Sequence, residues 1–179
     1  LVAHGSARQA DTIVTAWHCL EFYDDLSKPI VFTLLPGSEQ SIATEAYRLS
    51  DGGGMHADWA VLRLRGPVPE SLVHAMRINP GSANPERPVT MAGYSRDAGK
   101  GQNGAALSFD RDCTITSASR VGSETDCTAY KGASGGAVMQ TSSAGQPLFC
   151  GVISRGDSNG VSIYVPVSGF RNELERLLR

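Results

Sequence analysis

The sequence has 179 residues, with 16 basic and 18 acidic side chains, a formal net charge of -2 and a pI near 6.1. That balance excludes a general affinity for nucleic acid or for anionic membranes, both of which need a basic excess. No apolar run approaches the roughly 20 residues that span a bilayer, and no basic-then-apolar leader opens the chain at Leu1.

Glycine (20 residues) and proline (9) punctuate the chain, and the apolar stretches between them are strand-length. In chain order, strands are predicted at Thr12 to Trp17, Ile30 to Leu35, Ile42 to Leu49, Trp59 to Leu64, Pro88 to Tyr94 and Ala105 to Phe109. They continue at Cys113 to Ser119, Gly136 to Gln140, Pro147 to Ser154 and Val161 to Val167. Many short strands separated by turn signals indicate an all-β sandwich or barrel. Ile78 to Pro85 is rich in turn formers and reads as a linker between two β units. A helical turn is expected after His18, through Leu20 to Phe22. The last segment is predicted to be a helix, capped by Ser168, with Phe170, Leu174, Leu177 and Leu178 on one face.

The four cysteines are Cys19, Cys113, Cys127 and Cys150. None forms a C-x-x-C pair, which argues against a zinc ribbon. Cys113 and Cys127 flank two strand pieces around a turn at Val121 to Ser123. A bridge there would close a loop of about 15 residues, stabilise by about 3 kcal/mol and imply an oxidising compartment. Buried free thiols are the other reading of the same residues.

Gly132-Ala133-Ser134-Gly135-Gly136 is the strongest chemical signal. A serine hydroxyl is a poor nucleophile until a base takes its proton and donors receive the oxyanion, and flanking glycines let the backbone turn sharply. The pentapeptide also satisfies the G-x-S-x-G elbow of α/β-hydrolases. In that fold the histidine follows the serine, whereas His4, His18, His56 and His74 all precede Ser134. The strand-rich pattern also lacks alternating helices, so the elbow reading fails on order and on class. His18 ends the β-like run Thr12 to Trp17, where an imidazole can face a cleft and titrate near neutral pH. Asp58 opens the apolar run Trp59 to Leu62, where a carboxylate is costly unless hydrogen-bonded; a histidine N–H would satisfy it.

Together, Thr15-Ala16-Trp17-His18-Cys19, Ala57-Asp58-Trp59-Ala60-Val61-Leu62 and the Ser134 pentapeptide resemble the three signature segments of chymotrypsin-like (trypsin-fold) serine proteases, in that family's order. The resemblance extends over nearly the whole chain. Val89 to Tyr94 is similar to the strand that opens the second barrel, and Gly151 to Gly156 to the substrate-binding strand. The cysteine placement looks most like bacterial secreted members. The resemblance implies two packed six-stranded antiparallel β-barrels with a C-terminal α-helix. Residues 1–80 would form the first barrel, 86–167 the second and 168–179 the helix. It implies a serine endopeptidase, secreted or periplasmic, acting on polypeptide substrates without metal or organic cofactor. Ser134 would be the nucleophile, His18 the general base and Asp58 its orienting carboxylate, with an oxyanion hole from the N–H groups of Gly132 and Ser134. Ser154 matches a serine that hydrogen-bonds the aspartate. Thr128, Arg155, Gly156 and Ser162 match positions around the specificity pocket. Thr128 carries no charge, which does not support a preference for lysine or arginine, although Asp126 and Asp157 lie near in sequence.

Two features depart from the family pattern. Ala133 stands where zymogen-activated members have an aspartate that pairs with a freed N-terminal ammonium, so that switch is not expected here. Leu1 lies only 17 residues before His18, so the first barrel is expected to be incomplete at its N-terminus. An upstream segment or a second chain would complete it, because an open sheet edge is a liability. The usual partner of Cys19 would lie on that segment; Cys150 is expected to be a buried thiol, with a Cys19–Cys150 pair as the other option. A catalytically silent pseudoprotease that serves as a protein-binding module is the competing function, and an esterase on the same triad is a third.

Overall fold

Apolar runs of five to ten residues between glycines and prolines are too short to sustain helices alone, and they pair instead. The computed structural model describes residues 2–3, 9–23 and 28–179. Its strands in the first half of the chain are β1 (Val2–Ala3), β2 (Gln9–Thr15), β3 (Ile30–Leu34), β4 (Ile42–Asp51), β5 (Ala60–Pro69) and β6 (Met76–Ile78). The second half contributes β7 (Val89–Gly93), β8 (Ser108–Cys113), β9 (Ile115–Ser117), β10 (Ser123–Thr125), β11 (Ala137–Thr141), β12 (Pro147–Gly156) and β13 (Ser162–Pro166). One helix, α1 (Arg171–Leu177), ends the chain. The architecture is the expected all-β class with a short C-terminal helix.

The two halves close differently. In the second, β7 pairs with β8, β9 with β10, β10 with β13, β13 with β12, β12 with β11 and β11 with β7, all antiparallel. Only Thr114 separates β8 from β9, so the two act as one bent strand and the ring is complete. The Cys113–Cys127 disulfide fastens the bend. In the first half the order is β3-β4-β5-β2-β1, with β6 running parallel to both β1 and β12. Among the described residues β3 pairs only with β4, so this half is an open half-barrel.

Three apolar cores follow. One fills the second barrel, around Met91, Ile115, Val138, Ile153 and Tyr164. Another fills the first half, around Ile13, Leu34, Leu62, Leu64 and Val68. A third lies between the halves and includes Val61, Phe149, Val152, Val165, Phe170 and Leu174. Along β5 Ala60, Val61 and Leu62 are buried in succession, because Ala60 and Leu62 meet the first-half core while Val61 meets the shared one, and from Leu62 to Arg65 burial alternates. The helix joins the shared core through Phe170 and Leu174. The Phe170 ring stacks on Trp59 with centroids 4.9 Å apart, and Arg63 donates to the Leu177 carbonyl at 2.7 Å.

Several expectations shift. The strand predicted at Ala105 to Phe109 forms at Ser108–Cys113, because Gln102 and Asn103 take positive φ (47° and 57°) in a tight turn that delays extended backbone. Ser168 does not cap the helix; it lies in the 3-10 turn Val167–Gly169, and Phe170 occupies the cap position. The turn predicted after His18 spans Trp17–Leu20 and contains His18 itself. Cys19 and Cys150 are both free, the second buried, where Asn79 Nδ2 donates to its sulfur at 3.1 Å. No helix among the described residues is long and apolar enough to cross a membrane.

Candidate active site

His18 and Asp58 come from the first half, each beside a strand end. β2 stops at Thr15, Ala16 is fully buried, and the chain then tightens into the 3-10 turn that carries His18. Asp58 lies just ahead of β5 and is 1% exposed. A buried carboxylate needs donors, and Asp58 has three. The His18 side chain joins it through Nδ1 at 2.8 Å, the His18 backbone N–H donates at 2.9 Å, and the Ser154 hydroxyl donates at 2.5 Å across the junction between the halves. Because Asp58 accepts, Nδ1 carries the proton in the neutral ring, and Nε2 is left as the acceptor. Sequence reading pairs Ser154 with Asp58, and the geometry shows that contact.

Ser134 enters from the second half, in the turn before β11. Gly132 has φ +93°, and a Cβ there would sit 2.8 Å from the Tyr94 carbonyl oxygen, so only glycine fits without displacement. At Gly135 a Cβ would fall 2.4 Å from Thr15 Oγ1, which shows how closely this turn seats against the end of β2. Ser134 and His18 line one cavity of about 430 Å³, together with Ser154, Arg155 and Gly156. The Ser134 hydroxyl donates to the Ser154 carbonyl at 3.0 Å, and no hydrogen bond joins it to His18.

Peptide orientation around the serine follows from its neighbours. The Lys131 carbonyl accepts from Arg96 N–H at 2.7 Å, and the Ala133 carbonyl accepts from Gly136 N–H at 2.9 Å. In a trans peptide the N–H points opposite to the C=O. The N–H groups of Gly132 and Ser134 therefore point the other way, and neither has an acceptor among the described residues. Past Ile153, β12 has β13 on one side only, so Ser154 to Gly156 present an unpaired strand edge beside Ser134.

The remaining pocket residues divide. Arg155 and Gly156 line the cavity shared by His18 and Ser134. Thr128 does not; it lines a separate cavity of about 300 Å³ behind the Ser134 turn, and its N–H donates to Asp110. Ser162 is fully buried, accepting from Ala129 N–H at 2.8 Å and donating to the Cys127 carbonyl at 2.6 Å. The walls that hold Ala129 and Gly156 touch, since a Cβ on Gly156 would lie 2.3 Å from the Ala129 carbonyl oxygen. Asp126 accepts from Thr114 N–H, and Asp157 accepts from Asn159 and Val161 N–H, which holds its carboxyl below the usual range. Neither lines the shared cavity. Asp110 lies beside Cys113 and Cys127, but both sulfurs are spent in the disulfide and offer no thiolate to a metal. Sequence reading missed Tyr130 and Lys131 as lining residues, although their place just ahead of Gly132 is a usable signal.

The sequence matches the trypsin-like peptidase domain family over residues 3–146. Among solved structures, a thermostable serine protease, AL20, from an extremophilic microorganism superposes with a TM-score of 0.74 at 19% identity, covering 98% of this chain and 87% of that one. The serine endoprotease from Yersinia pestis superposes with a TM-score of 0.67 at 20% identity; all of this chain is covered but only 56% of that one. At such identities the two likenesses speak to the fold. No curated protein sequence matches this chain.

Proposed function

As the chain belongs to the trypsin-like peptidase family and is a serine peptidase, we propose that it is an endopeptidase working through an acyl-enzyme on Ser134, with His18 as base and Asp58 as orienting acid. The observation that carries this reading is the Asp58 carboxylate, 1% exposed and bonded to His18 Nδ1 at 2.8 Å. That bond orients the ring through Nδ1, and His18 and Ser134 line one cavity.

Rotation about the Ser134 Cα–Cβ bond transfers its hydroxyl from the Ser154 carbonyl to His18 Nε2. The Ser134 oxygen then bonds to the scissile carbonyl carbon while Nε2 takes its proton. Asp58 stabilises the resulting imidazolium. The unpartnered N–H groups of Gly132 and Ser134 receive the oxyanion, and no ammonium is needed at Ala133 to turn them. Collapse breaks the C–N bond as His18 returns the proton to the leaving amine. Water then repeats the sequence and frees Ser134. The residues before the cut add as a strand to the edge Ser154 to Gly156. With the Ala129 and Gly156 walls in contact, a small uncharged residue before the cut fits best.

We assign residues 1–80 and 86–167 to two barrel subdomains and 168–179 to the closing helical segment. The disulfide supports a secreted or periplasmic setting. Among the described residues β3 is paired on one side only, and we propose a further strand there, from an upstream segment or a second chain.

The Ser134 hydroxyl bonded to Ser154 rather than to His18 favours the competing reading of a silent binding module. A fluorophosphonate probe decides between them. The endopeptidase reading expects covalent labelling of the folded protein that disappears in Ser134→Ala; a folded wild-type sample that takes up no probe defeats it.

A further inference from the structure

Ser134 lines two cavities that have no other residue in common. The first, of about 430 Å³, holds His18 and carries the charged side chains Glu21, Lys131 and Arg155. The second, of about 440 Å³, starts at Gly132 and Ser134 and has no charged residue in its lining among the described residues. Three of its large side chains, Tyr94, Leu107 and Phe109, remain 38%, 46% and 38% exposed, and Phe32 adds another ring from β3. Apolar surface grouped in a concave site and left in solvent marks a place where a ligand is covered.

The two arms of a peptide leave its scissile carbonyl in opposite directions. One arm is taken by the β12 edge and the charged cavity. We propose that the other arm, carrying the leaving amine, runs into the uncharged groove, and that Tyr94, Leu107 and Phe109 select large apolar side chains at the first two positions after the cut. This rests on the endopeptidase reading above. A charged side chain there would lose water and gain no counter-charge, whereas an apolar one removes its own surface and that of three protein side chains from water. The expected preference for leucine or phenylalanine over aspartate or lysine is about tenfold or more in cleavage rate.

The test is digestion of a random octapeptide mixture with sequencing of the products, beside fluorophosphonate labelling and light scattering of the same samples. Apolar enrichment after the cut in the wild type, shifted towards aspartate and glutamate in Leu107→Lys with the preference before the cut unchanged, is the expected result. Labelled enzyme that cuts without apolar enrichment, or whose enrichment is unmoved in a labelled Leu107→Lys, overturns this inference and leaves the endopeptidase reading standing. So does a Leu107→Lys variant that changes only the oligomeric state, which assigns the groove to a second copy. Labelled protein that cuts no peptide overturns the inference together with the endopeptidase reading. An unlabelled folded wild type removes the covalent chemistry beneath both.

Discussion

The second barrel is a closed ring fastened by a disulfide, whereas the first half is open along β3 among the described residues, yet each supplies part of one candidate site. The closed half carries the tightest turn. Gly132 at positive φ and the Ser134 turn sit between β7 and β11, which pair with each other inside the ring. The open half supplies His18 and Asp58, and both lie at its inner rim against the shared core. There Ser154 of the other half binds Asp58 directly. The contrast teaches that the site depends on the junction and on the closed ring more than on the outer strands β3 and β4.

That division predicts a graded set of effects. Replacing the proposed nucleophile, Ser134→Ala, is expected to remove activity by about 10⁶-fold in kcat, measured against fluorogenic peptides. Asp58→Asn is expected to cost about 10⁴-fold, roughly 5.5 kcal/mol of barrier, by favouring the wrong His18 tautomer. An Asp58→Asn enzyme within tenfold of wild type would mean that the first half contributes little to the chemistry. Removing the clasp in Cys113→Ala/Cys127→Ala should lower stability by about 3 kcal/mol in urea unfolding, and an unchanged midpoint would show that strand pairing alone holds the ring. Ser162→Ala deprives the buried Ala129 N–H of its acceptor and should cost about 1–3 kcal/mol. The smallest effect belongs to the outer strand: Val31, 59% exposed on β3, should tolerate Val31→Thr within about 0.5 kcal/mol. A large loss there would mean that β3 is covered in solution.

Much of this was legible in the residues, because the candidate site residues sit at element ends. His18 after a β-like run, Asp58 before an apolar one and Ser134 among glycines each carry a local reason for their position, and the Ser154 contact followed from the resemblance. The strand Ser108–Cys113 was misplaced because Asp110, Arg111 and Asp112 interrupt any apolar run; the backbone pairs with β7 regardless of their charge. β6 went unseen because three residues that pair in parallel with β1 and β12 carry no periodic signal of their own. The packing of Ser162 beneath Ala129 and the placing of Thr128 in a different cavity depend on how two distant walls meet, which no local pattern encodes.

The Trp59–Phe170 stack has a practical consequence. The protein has two tryptophans, and they flank the His18–Asp58 pair along the chain, Trp17 one residue before His18 and Trp59 one after Asp58. Tryptophan emission therefore arises only from residues adjoining His18 and Asp58, and Trp59 in particular is in contact with the C-terminal segment. Loosening of that segment should register as a spectral change at the acid's own neighbour, an optical gauge already written into the polypeptide.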